Sequence, residues 1–323
     1  MITLADFVRS IALVLSLVTG VAMAQGSYPS QPIRIIIPGG AGGINDIAAR
    51  LIAPGLSQRL GQPVIVENKP GAGTTLGGNL VAKAKPDGHT LLMAVSTLAI
   101  NPSSILNMPY DAIRDFSPIT HALTAPLLFV VPSSSGVKSI KEFLTLAKTK
   151  PGGVTYGSAG YGTNPHLAME LLATKVGVKL YHIPYNGTIG INSLLGGHVE
   201  SMATVVSSLI PHVRSGRLTA LGVTSTKRLA ILPDVPTFAE EGIAGFEPDQ
   251  WVGLLAPAKT PPEIIARLHK ETVALMQSPE FIRAMTNVGV EVVTSTPEEF
   301  AAFLKSETVK WTEVAKAAGI KPE

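Results

Sequence analysis

The chain has 323 residues, with 26 Lys and Arg against 23 Asp and Glu, a net charge of +3, and 46% hydrophobic, 15% charged and 5% aromatic residues. It contains no cysteine, which excludes disulfides, thiolate metal sites and cysteine nucleophiles. With no dense Lys/Arg stretch and no aromatics set among basic residues, nucleic acid is not an expected partner.

Arg9 precedes the apolar run Ile11–Val18, and Ala22 and Ala24 place small residues at the −3 and −1 positions before Gln25. That is the layout of a secretory signal peptide cleaved after Ala24. The apolar stretch from Ile11 to Ala24 is shorter than the roughly 20 residues a membrane span needs. The mature chain is therefore expected to be soluble and not membrane-embedded. Without a cysteine to carry lipid, it is expected in the periplasm.

Ile33–Ile37 reads as a buried strand, running into the turn Pro38–Gly43. Asp46 occupies an N-cap position before the helical segment Ile47–Ile52, which Pro54 is expected to kink or end. Pro63–Glu67 is the next strand, closing a β–loop–α–β unit. Leu91–Val95 and Leu127–Val131 are strand-like. The grammar then repeats: a strand at Val154–Tyr156, a glycine loop at Gly157–Gly162, a helix from Thr163 to Leu172 and a strand at Leu180–Pro184. Asn186–Thr188 reads as a turn. Trp251–Leu255 is strand-like, and the strands near 127–131 and 251–255 are expected to be the crossovers between two domains. Ile264–Met276, Glu280–Val288 and Pro297–Ala318 are expected helices, the last capped by Thr296.

The Gly39–Gly43 loop offers unhindered backbone N–H groups at a helix N-terminus, where donors converge and the helix dipole favours negative charge. A plain tight turn is the other reading. Near Gly157, Gly160 and Gly162, Ser158 and Thr163 add hydroxyl donors suited to a carboxylate. In open α/β sheets ligands bind at the carboxyl ends of strands, so two such loops facing each other would form a two-sided cleft. Asp46 serves as a cap or as a ligand contact, and His166 as a ligand donor or a packing residue. His166 and Glu170 share a helix face, but no pattern supports a metal site. Gly157–Gly160 lacks the leading glycine of a nucleophile elbow, and Gly71–Gly77 misses the dinucleotide fingerprint by one residue. No cofactor and no catalytic residue is expected.

At these loops the sequence resembles the Bug-type periplasmic solute-binding proteins of tripartite tricarboxylate transporters. The resemblance rests on Pro38-Gly-Gly-Ala-Gly-Gly-Ile-Asn-Asp-Ile-Ala-Ala-Arg50, Val64-Ile-Val-Glu-Asn-Lys-Pro-Gly-Ala-Gly73, Lys85-Pro-Asp-Gly-His-Thr-Leu-Leu92 and Tyr156-Gly-Ser-Ala-Gly-Tyr-Gly-Thr163. It continues through Ile183-Pro-Tyr185, Leu194-Leu-Gly-Gly197, Leu232-Pro-Asp-Val-Pro-Thr237 and Gly253-Leu-Leu-Ala-Pro257.

The resemblance implies an α/β, two-domain periplasmic-binding-protein fold of the Venus-flytrap, type II-like kind, with crossover hinge strands. After a signal peptide over residues 1–24, domain 1 would span 25–127 plus 250–323 and domain 2 would span 128–249. A small carboxylate would bind in the cleft, contacted by Gly39, Gly40, Ala41, Gly42 and Asp46 from the first loop. The second loop would contribute Ser158, Ala159, Gly160, Thr163, His166 and Tyr185. A two-subunit membrane permease would receive the ligand from what would be a monomeric receptor. Where the family often has an acidic residue this chain has Thr204, implying a ligand without an amino group. By position alone, Tyr161, Tyr185, Phe129 and Trp251 are the nearby candidates for stacking on a ligand ring, with packing in the core or at the rim the other reading. Two alternatives stand beside this reading: a sensor presenting ligand to a signalling partner, and a hydrolase using Ser158 and His166.

Overall fold

The computed structural model describes residues 28–185 and 189–322. The expected signal peptide and the Asn186–Thr188 turn lie outside the described residues.

Three strands open the chain, β1 (Ile33–Ile37), β2 (Val64–Asn68) and β3 (Thr90–Val95). Each is followed by a helix: α1 (Ile44–Leu60), α2 (Thr75–Ala82) and α3 (Thr97–Ser104). β1 lies between β2 and β3 and is parallel to both. Long antiparallel β4 (Phe116–Ala125) follows, and Pro126 alone separates it from β5 (Leu127–Pro132).

The next segment runs α4 (Ile140–Thr149), β6 (Val154–Ser158), α5 (Asn164–Val176), β7 (Leu180–Pro184), α6 (Ile189–Leu195), β8 (Ser201–Val205), α7 (Val206–Arg214) and β9 (Leu218–Val223). The chain closes with β10 (Gln250–Pro257), α8 (Pro262–Met276), α9 (Pro279–Thr286), β11 (Glu291–Val292) and α10 (Pro297–Ala317).

These strands form two mixed sheets, ordered β11-β4-β10-β3-β1-β2 and β7-β6-β8-β5-β9. β5 belongs to the second sheet and β10 to the first. Each strand therefore comes directly after the chain has passed from one sheet to the other. Helices cover both faces of each sheet, which explains the near-continuous apolar run of β1: Ile33, Ile35, Ile36 and Ile37 are at most 1% exposed. One first-sheet core gathers α1, α8 and α9 residues such as Ile52, Leu268 and Phe281; the other gathers Leu98, Phe300 and Trp311. Leu167 of α5 is buried in that second cluster, so the two halves share apolar contact.

Two local expectations are corrected. Asp46 is not the N-cap of α1. The helix starts three residues earlier than expected, at Ile44 rather than Ile47, because Gly43 takes the extended cap conformation and its carbonyl accepts the Ile47 N–H. Pro54 does not end the helix, which continues to Leu60 and stops at Gly61 in the left-handed region (φ 73°). Packing of Ile52, Leu56 and Leu60 into the core outweighs the single hydrogen bond that proline lacks. By contrast, Thr296 caps α10 in a capping box with Glu299.

Gly253 lets β10 pass under α10: a Cβ there would sit 2.1 Å from Phe300 Cζ, and Phe300 is fully buried. Gly253→Ala is expected to lower unfolding free energy by about 1–3 kcal/mol through overpacking. A urea midpoint equal to the parent's would contradict this contact.

Candidate functional site

In each sheet, parallel pairing puts three strand carboxyl ends on one edge, with a helix N-terminus after each: α1, α2 and α3 in the first sheet, α5, α6 and α7 in the second. The two glycine loops lie on these edges.

The first loop leaves β1 at Pro38. Gly77 of α2 lets that helix touch it, since a Cβ there would lie 2.8 Å from Pro38 Cα. A Cβ on Gly39, Gly40 or Gly42 would meet nothing within 4 Å, so these backbone faces stay open. Gly40, Ala41 and Gly42 are exposed. Asp46 is 3% exposed and points inward to brace the loop. Its Oδ2 accepts the Gly42 N–H at 2.9 Å, and its Oδ1 accepts from Arg50 Nε and Asn68 Nδ2, both at 3.0 Å. Asn68 Nδ2 also reaches the Gly39 carbonyl at 3.3 Å, and Arg50 Nη2 donates to Asn68 Oδ1 at 2.7 Å. Burial opposes ionisation of Asp46, but the bonds from Arg50, Gly42 and Asn68 outweigh it and hold the carboxyl below its ordinary range.

The second loop leaves β6 at Ser158 and meets α5 at Asn164. Its glycines need the left-handed side of backbone space at Gly160 (φ 137°) and Gly162 (φ 69°). Ser158 is 1% exposed. Its Oγ accepts the Gly160 N–H at 3.1 Å and lies 2.6 Å from His182 Nε2. Thr163 donates its hydroxyl to the Gly160 carbonyl at 2.7 Å, and the Tyr185 N–H donates to the Ser158 carbonyl at 3.1 Å. The Tyr185 ring lies over Gly157 and Gly190. His166, 3% exposed, accepts the Gly162 N–H on Nδ1 at 3.1 Å, which fixes its proton on Nε2.

The rings of His166 and His182 stack with centroids 3.8 Å apart, and Tyr161 and Tyr156 flank the pair. Burial pushes the His166 pKa down to about 3, with His182 adding repulsion, and burial pushes that of His182 down to about 4. Tyr156 donates to Glu170 Oε1 at 2.5 Å, so Glu170 serves the ring stack rather than a metal.

Ser158, Gly160, Thr163, His166 and Tyr185 thus come together in one network, and Gly39, Gly42 and Asp46 in another. Ala159 is exposed beside Ser158. The second loop touches the first half at Ser104, where a Cβ on Gly162 would lie 2.6 Å from the hydroxyl. Thr204 is on β8, paired with Leu128. Phe129 and Trp251 are corrected as stacking candidates. Both are 1% exposed, because each faces a core between sheet and helices. Tyr161 is 42% exposed, and Tyr185 is half-buried.

Asn68, Arg50 and His182 went unread in the sequence. Asn68 ends the strand paired with β1, in register with Ile37, and His182 is in register with Tyr156, so strand pairing was the missing signal. Arg50 sits one helical turn after Asp46. The pocket of about 320 Å³ lined by Pro126, residues 225–231, Thr286 and residues 289–291 contains neither loop. Among the described residues, no group of three or more His, Asp or Glu is placed to hold a metal ion, and no helix is long and apolar enough to cross a membrane.

Residues 48–320 match the sequence profile of the family described as "Tripartite tricarboxylate transporter family receptor". BugT of Bordetella pertussis is 34% identical over 302 residues, covering 93% of both chains. An R. palustris protein solved with adipate is 30% identical, with a TM-score of 0.84 over 92% of this chain and 100% of its own. MatC of Rhodopseudomonas palustris with bound malate is 28% identical, with a TM-score of 0.76 over 89% and 99%.

Asn68→Ala should leave the Gly39 carbonyl and Asp46 short of a donor and destabilise the fold by about 1–2 kcal/mol. An unchanged denaturation midpoint would count against the brace. Both histidines stay neutral when folded but protonate near pH 6.5 when unfolded. The stability they contribute is complete above that value and is lost as pH falls through about 4 and about 3. Melting between pH 7 and 4 should show a slope that His182→Phe reduces; an identical slope in the variant would contradict the assignment.

Proposed function

We propose, from the premise that this chain belongs to the tripartite tricarboxylate transporter receptor family of Bug-type periplasmic solute-binding proteins, that it captures a small dicarboxylate between its two glycine loops and hands it to a two-subunit membrane permease. The observation that supports the reading is the pair of strand–glycine loop–helix units, each braced by buried side chains, with the Gly39, Gly40 and Gly42 backbone of the first loop unhindered by any neighbour. A carboxylate leaving water needs several N–H or O–H partners, and converging amides at helix N-termini supply them without a cation.

Asp46 has its charge satisfied by Arg50, Asn68 and the Gly42 N–H, so it adds no free negative charge against the ligand. Adipate and malate in two structural relatives point to dicarboxylates as the class to test first. The protein works as a monomer and by binding alone. The Ser158 hydroxyl, in a residue 1% exposed, spends its contacts inside the loop, on His182 and the Gly160 N–H.

Thermal shift of the mature protein against a carboxylate panel, followed by calorimetry, tests the reading. At 100 times its dissociation constant a ligand adds about 2.7 kcal/mol, several degrees for domains of this size. Ser158→Ala should weaken that ligand about tenfold by loosening Gly160. Ester hydrolysis abolished by Ser158→Ala, or no shift with any dicarboxylate after denaturing and refolding, would overturn it.

A further inference from the structure

Two aliphatic side chains stay in water beside the glycine loops, one on each half. Leu76 of α2 is 54% exposed and Ile189 of α6 is 57% exposed. An exposed aliphatic residue is ordinary by itself. These two share a position, because each is followed by a glycine that packs its helix against the neighbouring loop. A Cβ on Gly77 would press on Pro38, where the first loop begins. A Cβ on Gly190 would lie 3.4 Å from the Ser158 carbonyl oxygen and 3.3 Å from the Tyr185 ring.

The turn before Leu76 is held by polar groups that point into it. Ala72 (φ 46°) and Thr74 (φ 79°) take left-handed backbone conformations without being glycine. Asn101 keeps them there by donating to the Gly73 carbonyl at 2.9 Å, together with a 2.9 Å hydroxyl pair between Thr74 and Thr97. Thr75 donates its hydroxyl to the Ala72 carbonyl at 2.8 Å. The hydroxyls next to Leu76 are thus spent inside the turn. A Cβ on Gly73 would lie 3.6 Å from Ile105 Cδ1, and one on Gly162 would lie 2.6 Å from the Ser104 hydroxyl. The turn and the second loop therefore lie on either side of residues 104–105.

We propose that Leu76 and Ile189 are the two apolar walls that receive the carbon skeleton of the ligand, so that this chain selects carboxylates with a plain hydrocarbon skeleton over those bearing hydroxyl groups. The inference rests on the reading of the chain as a receptor whose two loops clamp a carboxylate. Backbone N–H groups answer the carboxylate oxygens, and the ligand's carbon covers the two aliphatic side chains. A hydroxyl placed there loses water and gains no partner from Asp46, Ser158, Thr163, Thr74 or Thr75, which spend their polar groups within the loops and the turn.

Calorimetry of the mature protein with two pairs of dicarboxylates tests the selection: succinate against malate, and adipate against glucarate. The second member of each pair keeps the carbon chain and adds hydroxyls. The plain member should bind about tenfold tighter or more. Leu76→Asn and Ile189→Asn, both changes of exposed side chains, should each weaken the plain member about tenfold and leave the hydroxylated one within about twofold. Val309→Asn, on the exposed face of α10, should change neither. Malate or glucarate binding as tightly as its plain counterpart, or a preference that both Asn variants leave intact, overturns the proposal.

Failure of the dicarboxylate reading is distinguishable from failure of the apolar walls. No binding by any of the four counts against dicarboxylates, and hexanoate against gluconate, six-carbon monocarboxylates without and with hydroxyls, then decides the walls by the same criterion. No binding by all six overturns both.

Discussion

Parallel pairing of β1 with β2 and β3, and of β6 with β7 and β8, is the constraint on which the rest depends. Parallel strands end together, so the following turns and helix N-termini collect on one edge of each sheet. A helix N-terminus leaves backbone N–H groups without partners inside the helix. After β1 the turn carries Gly39, Gly40 and Gly42, whose backbone faces are open to an incoming anion. The capacity to bind a carboxylate is therefore a property of strand order and chain direction before it is a property of any side chain.

The side chains of the site do different work from the one their chemistry first suggests. Asp46, Asn68 and Arg50 fix the first loop by consuming the polar groups that point inward. Ser158, Thr163, His166 and His182 do the same for the second. Both histidines remain uncharged in the folded protein, so the second loop offers an anion neutral dipoles rather than a titrating cation. On the proposed reading such a site would hold its ligand through geometry, and dissociation would not require a strong ion pair to break.

Legibility in the sequence followed local periodicity. The Ile33–Ile37 run, the glycine loops and the capped final helix were readable because each is specified by neighbouring residues. β8 and β9 were not, since Ser201–Val205 and Leu218–Val223 are short and lack turn signals as clear as those around β1. Asp46 and Pro54 both favour helix ends by intrinsic preference, but Gly43 takes the cap in place of Asp46 and the packing of α1 against the first sheet carries the helix past Pro54. His182 and Asn68 make contacts to residues far apart in the chain, and only the paired sheets reveal them. The resemblance of the loop motifs to a receptor family indicated function sooner than any single residue did.

The central claim is that one carboxylate ligand engages both loops at once. Amide resonances followed by nuclear magnetic resonance during titration with adipate test it most directly. The account predicts perturbations at Gly39–Gly42 and at Ala159–Gly160 that grow together along one binding curve. Perturbations confined to one loop, or centred on residues 225–231 and 289–291 around the separate pocket, would contradict it.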